Sequence, residues 1–163
     1  MINQSIEKAL NKQINAELYS SYLYLAMAAY FENQNWNGFA NWMKIQSVEE
    51  HAHGMKMFEF VYQRGGKVVL TAIEAPKTEW KSVLNVFEET LVHEQKITKS
   101  INDIYELSLQ EKDHATSSFL QWFINEQVEE EDNVIKILES LKMVGESKNS
   151  LYFFNRELGK RQG

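Results

Sequence analysis

The sequence contains no cysteine and one proline, and only seven of its 163 residues are glycine. The missing thiols exclude a disulfide framework, a zinc ribbon, a thiolate nucleophile and a cysteine-held iron–sulfur cluster. The scarcity of helix breakers leaves long stretches of chain free to be helical. Long apolar runs are missing too: the longest, Tyr22 to Phe31, is too short to span a bilayer. Residues 1–10, interrupted by Glu7, do not have the basic-then-apolar layout of a secretory signal. Positive charge is in deficit, with 17 Lys and Arg against 23 Asp and Glu and a net charge of −6. Sequence-independent nucleic-acid binding needs the opposite balance. What remains reads as one cytoplasmic domain, 44% hydrophobic and 25% charged, that binds neither nucleic acid nor membrane. Any metal it holds must be held by carboxylates, imidazoles and amides.

Apolar residues recur with helical spacing in four stretches. The first carries Leu10, Ile14, Tyr24, Ala28 and Phe31; the second Phe39, Met43, Met57 and Phe60. The third carries Phe87, Leu91, Ile101 and Tyr105; the fourth Leu120, Phe123, Val134, Ile137 and Leu141. A polar break at Asn33 to Asn37 separates the first two, and Gly65-Gly66 stop the second. Asp113 is positioned to cap the fourth, Gly145 to end it, and Ser147 to cap a short fifth helix running to about Leu158. The chain is therefore predicted to be all-α: a four-helix bundle plus short fifth helix over residues 1–158, with 159–163 as a flexible tail. Short breaks force antiparallel hairpins. The segment from Gly65 to Glu79 can reach about 50 Å, whereas a helix of roughly 27 residues is ~40 Å long. It can run the full bundle length, with Val68-Val69-Leu70 extended along the side, and make the second and third helices parallel. The predicted topology is up-down-down-up.

Each stripe is interrupted near its middle by a polar residue at a core-facing position: Glu17, Glu50, His53, Glu94, Gln127 and Glu130. Glu17 and Glu50 are 33 residues apart, as are Glu94 and Gln127, and the second set repeats the first at an offset of 77. Two helical hairpins thus carry one pattern, which predicts an approximate two-fold relation within the bundle. One such residue alone reads as a surface glutamate or a satisfied core histidine; six agreeing in depth and spacing do not. Burying ionised carboxylates together is costly, and divalent cations supply both the counter-charge and the missing ligands. Glu50 and His53, at i and i+3, share a helix face and can hold one ion. Carboxylate and imidazole without thiolate suit iron or manganese better than structural zinc.

With Glu17, Tyr24, Glu49-Glu50, His53, Glu94, Trp122 and Glu126-Gln127-x-Glu129-Glu130 in place, the chain from Ile2 to about Leu158 resembles a bacterial-type non-haem ferritin, a ferritin-like bundle with one long crossover. The resemblance implies an iron-storage protein with ferroxidase activity. It would oxidise Fe²⁺ to Fe³⁺ with dioxygen or peroxide and keep the product as a ferric mineral in a shell of 24 identical subunits. The implied di-iron centre has Glu17, Glu50 and His53 at the first iron, and Glu50, Glu94 and Glu130 at the second, with Glu50 bridging and Gln127 nearby. Glu49, Glu126, Glu129 and Glu130 match a third iron position. Tyr24 reads equally as a core tyrosine whose hydroxyl needs a partner and as a contact to a site ligand that supplies an electron. Trp122 reads as packing or as an electron source, with packing favoured. Glu131 and Asp132 read as a solvated face, and His51, His93 and His114 as surface or interface residues.

The resemblance also sorts the relatives. Haem-containing bacterioferritins close their second motif with His where this chain has Glu130, and place a haem-ligating Met where it has His51, so no haem is expected. DNA-protecting mini-ferritins put their ligands between subunits, and rubrerythrin-like peroxidases need a cysteine-rich domain. The competing reading of the residues themselves is a metal-free interaction bundle, which predicts no metal-dependent change in melting temperature.

Overall fold

The computed structural model describes residues 1–145 and 147–163, which form five helices and, among the described residues, no strand. They are α1 (Gln4–Asn33), α2 (Asn37–Gln63), α3 (Val83–Gln110), α4 (His114–Val144) and α5 (Lys148–Leu158). Free N–H groups at the helix starts are met by side chains where the sequence offers one. Asn3 accepts from Ser5 N (2.8 Å), Ser82 from Asn85 N (3.1 Å), Asp113 from Thr116 N (3.1 Å) and Ser147 from Ser150 N (3.5 Å). Helix α2 stops in a Schellman turn: Gly65 takes φ 69°, Gly65 N donates to Tyr62 O, and Gly66 N to Val61 O.

Side-chain pairs fix the directions of the helices. Along α1 and α3, Gln13 meets Ser100 and Tyr24 meets Glu94, and Tyr30 meets Trp80 just ahead of α3, so the two run antiparallel. Gln46 with Glu130, Phe60 with Phe119 and Arg64 with Asp113 make α2 and α4 antiparallel. Ser21 with Ser47 and Glu32 with Lys44 do the same for α1 and α2. The second and third helices are therefore parallel, as predicted. The connection between them runs beside α1 and is held by its amides. Asn11 donates to Lys67 O (2.9 Å) and accepts from Val69 N (2.6 Å), and Asn15 donates to Thr71 O (3.3 Å) and Ala72 O (3.2 Å). Val68 packs against the bundle, while Val69 and Leu70 stay exposed.

The apolar interior is divided. One cluster gathers Tyr24, Met27, Phe31, Phe39, Phe87 and Leu138 with their neighbours; the other gathers Ile6, Leu10, Met57, Phe60, Leu120 and Phe123. Between them lies a buried polar layer that includes Gln13, Glu17, Gln46, Glu50, His53, Glu94, Gln127 and Glu130. No helix among the described residues is long and apolar enough to cross a membrane.

Helix α5 sits on the start of α2. Asn155 Oδ1 accepts from Gly38 N (2.9 Å) and Phe39 N (3.0 Å), so α5 caps a helix whose own N-cap position, Trp36, has no capping side chain. Residues 159–163, predicted to be a flexible tail, are partly anchored. Asn41 donates to Arg161 O (3.2 Å), and the Arg161 guanidinium lies over the Trp42 ring (4.7 Å). The side chain, more than the terminal position, decides: a guanidinium that finds an aromatic face and a carboxylate is held.

Candidate metal centre

The mid-bundle layer places an acid from every long helix in one dry space. Glu17 comes from α1, Glu50 from α2, Glu94 from α3 and Glu130 from α4, and none is more than 4% exposed. The dry environment follows from the heptad phase: each sits where a Leu or Phe would otherwise pack, with an apolar cluster on either side.

Ligand atoms of Glu17, Glu50 and His53 lie within 4.8 Å of one another, as do those of His53, Glu126 and Glu130. His53 Nδ1 is 3.9 Å from Glu50 Oε2. Three carboxylate oxygens in the layer, Glu17 Oε2 and both oxygens of Glu50, have no hydrogen-bond donor among the described residues. The others are aimed by amides and hydroxyls. Gln13 donates to Glu17 Oε1 (2.8 Å) and is itself held by Ser100 (2.5 Å). Tyr24 donates to Glu94 Oε1, Gln127 to Glu94 Oε2 (3.1 Å), and Gln46 to Glu130 Oε2 (2.5 Å). Fully buried acids with orphaned oxygens cost several kcal/mol, which only a cation or protons between them relieve. The donor set, acids with one imidazole, fits hard or borderline divalent ions such as Fe²⁺.

The electrostatics say the same. Burial, partly offset by hydrogen bonding, pushes Glu17 up to about 7. Burial and then the charge of Glu94 push Glu130 up to about 8. Glu50 is driven well above the usual carboxylate range by burial and by Glu94 and Glu17. Burial raises Glu94 against the donors Tyr24 and Gln127. Tyr24 is raised by burial and by Glu94, which keeps its phenol protonated and able to donate. His53 is lowered to about 4 by burial, then by Lys56, so its imidazole is neutral and free to ligate. These shifts favour protonated acids in the absence of a cation, and a cation bound among them would have to displace those protons.

The residues singled out in the sequence fall into three groups. Glu17, Glu50 and His53 converge, and Glu130 and Glu126 join them from α4 on the His53 side. Glu94 belongs to the layer with its oxygens engaged by Tyr24 and Gln127, and Gln127 also reaches Thr98 (3.2 Å), so it acts as a support. At the edge, Glu126 is raised by burial and by Glu129 and Glu49, Glu129 is exposed, and Glu49 is paired with Arg161 (2.5 Å). Trp122 is 39% exposed, its ring against His53 (5.4 Å) and beneath Lys56 Nζ (3.1 Å). His51 and His114 are exposed. His93, read as a surface or interface residue, is half-buried in the α1–α3 seam, Nε2 2.7 Å from Ser20 Oγ and its ring edge-on to Tyr24. Glu131, read as solvated, is half-buried and accepts from Thr98 (2.5 Å), whereas Asp132 is exposed. Sequence reasoning assigned no role to Gln13, Gln46 or Arg161. The i, i+4 spacing of Gln13 and Glu17 was a usable signal; nothing local points to Arg161.

Comparison with known proteins identifies the family. Residues 7–144 match the family model of the ferritin-like domain. The bacterial non-heme ferritin of Staphylococcus saprophyticus is 41% identical over 161 residues, spanning 99% of this chain and 96% of that one. Its counterpart in Staphylococcus aureus is 38% identical over 161 residues, spanning 99% and 97%. Among solved structures, an open pore ferritin from the hyperthermophilic archaeon Archaeoglobus fulgidus superposes with a TM-score of 0.98 at 51% identity, covering 99% of each chain. A closed form of that ferritin, engineered by mutagenesis, gives 0.98 at 50% identity over 99% of each. Matched across nearly its whole length in sequence and structure, the chain belongs to the ferritin family.

Proposed function

We propose that the buried acidic layer is a ferroxidase centre and that the protein stores its product as ferric mineral inside a shell of 24 copies. The observation that carries this reading is the set of donor-less oxygens on Glu17 and Glu50, buried where four helices meet. Fe²⁺ is the substrate. Two ferrous ions give one electron each, matching the two-electron reduction of dioxygen to hydrogen peroxide, or of peroxide to water, with two protons consumed either way. Glu17, Glu50 and His53 bind the first ion; Glu50, Glu94 and Glu130 bind the second, with Glu50 between them. Tyr24 and Gln127 orient Glu94, and Gln13 orients Glu17, so the ligands are held before substrate arrives. The protons displaced from the acids on binding are released where the oxidant needs them. The apolar clusters above and below exclude bulk water and keep the charges strongly felt. A third cation is assigned to the edge formed by Glu49, Glu126, Glu129 and Glu130. Glu130 in place of an imidazole, and His51 after Glu50, favour non-haem chemistry.

The test is aerobic addition of Fe²⁺ to the assembled protein, with size exclusion on the same sample. Rapid ferric absorbance in a particle of cage size is expected. Replacing Glu50 and His53 together by Ala should cut the oxidation rate at least ~100-fold and leave the particle size unchanged; an unaltered rate would remove the assignment.

A further inference from the structure

The chain end reaches the metal layer by a route the activity alone does not call for. It begins with a close approach of two backbones: a Cβ on Gly38 would lie 1.7 Å from Asn155 O, and one on Gly159 would lie 3.2 Å from Gly38 Cα. Helix α5 is thereby seated directly on the start of α2. Asn41 then holds the carbonyls of Gly159 (3.5 Å) and Arg161 (3.2 Å). With the backbone fixed, the Arg161 guanidinium lies over the Trp42 ring and spends its two terminal nitrogens separately. Nη2 donates to Glu49 Oε2 (2.5 Å) and Nη1 to Gln46 Oε1 (2.8 Å). Gln46, fully buried, donates from Nε2 to Glu130 Oε2 (2.5 Å).

The chemistry of the three groups gives this chain of bonds a direction. A guanidinium has only donors. The Gln46 atom facing it must therefore be the carbonyl oxygen, which leaves the amide nitrogen facing Glu130. Without Arg161 the amide could turn over and present an acceptor to Glu130, and Glu130 would then have to carry a proton to keep the contact. Resting on the ferroxidase reading above, we propose that Arg161 is a positioning residue for the metal centre: acting through Gln46 it locks an N–H toward Glu130, holding that carboxylate in the orientation that binds the second cation. Glu49 anchors the guanidinium from the other side, so the lock depends on an ion pair at the chain end. Partners one step removed from metal ligands set ligand orientation in this way, and losing one weakens binding about 10- to 100-fold.

The experiment uses Co²⁺, whose visible absorption reports coordination without turnover, titrated into the full-length assembled protein. Wild type is expected to bind two equivalents at the layer, the second lost in Glu130→Ala. Arg161→Ala should weaken the second equivalent about tenfold and alter its spectrum, leaving the first unchanged. Gln46→Leu should do the same, and the double variant should lose no more than either single change, because both remove one relay. Wild-type affinity or an unaltered second-site spectrum in Arg161→Ala, or additive losses in the double variant, would each overturn the relay. These outcomes leave the ferroxidase reading standing. A wild-type protein that binds no Co²⁺ through Glu130 would end both.

Discussion

At the scale of single residues, Glu17 and Glu130 bind protons more tightly folded than unfolded, their carboxyls lying at about 7 and about 8 against an ordinary 4.5. Stability from such groups is complete below the unfolded value and is lost as pH rises through the folded one. His53 and His93 work in the opposite direction. Burial lowers both to about 4 from 6.5, so their contribution is complete above 6.5 and is lost as pH falls toward 4. Of these four groups, only the two acids still titrate above pH 6.5. The metal-free protein should therefore melt at a lower temperature at pH 8 than at pH 6.5, as differential scanning fluorimetry would record. Added Zn²⁺, redox-inert and binding the deprotonated acids, should reverse that slope and raise the melting temperature most at pH 8. A metal-free melting temperature that rises across this interval would contradict the buried-acid picture.

At the scale of elements, the long helices were legible because each carries its own signals: apolar spacing, Asp113 and Ser147 as caps, and Gly65-Gly66 as a stop. The crossover was legible from length alone, since fifteen residues can span a helix. What escaped was contact between distant segments. Asn155 caps α2 across 117 residues, and no local pattern announces that. The anchoring of the tail escaped for the same reason. Helix α5 fully buries only Asn155 and packs Leu151, Phe154 and Leu158 partly buried against the core, so its close seating on α2 rests on that packing, on the cap and on the bare Cα of Gly38. Gly38→Ala should drive α5 off its seat, because the new methyl would meet a backbone carbonyl rather than a yielding side chain. Limited trypsin digestion should then cut at Arg156 and Lys160 several-fold faster than in wild type, with the four-helix core intact. Equal cleavage rates would mean that α5 is held elsewhere. Asn155→Ala should cost about 1 kcal/mol, the usual value of a lost cap.

At the scale of the whole molecule, the chain leaves apolar side chains exposed on the outer face of α1 and on the crossover beside it, including Tyr22, Leu25, Val69, Leu70 and Ile73. Gathered on one side of the bundle, they make this face a candidate contact surface between copies of the chain. Leu25→Arg combined with Leu70→Arg should shift the particle to a smaller species in size exclusion while the circular dichroism stays helical; an unchanged elution volume would place assembly on another face. The candidate site was legible at this scale because six polar residues interrupt four stripes at one height, a coincidence that packing does not explain. Its supports were less so. Gln46 sits in a stripe like any other core position, and its function exists only once Arg161 folds back upon it. The division of the interior also sets the direction of traffic. Phe31, Phe39 and Phe87 plug one end of the bundle, and Phe60, Phe119 and Phe123 plug the other. On the proposed reading, an ion bound in the layer would find the lengthwise route closed at both poles and would have to arrive sideways, where half-buried Glu126 clusters with His53 and Glu130.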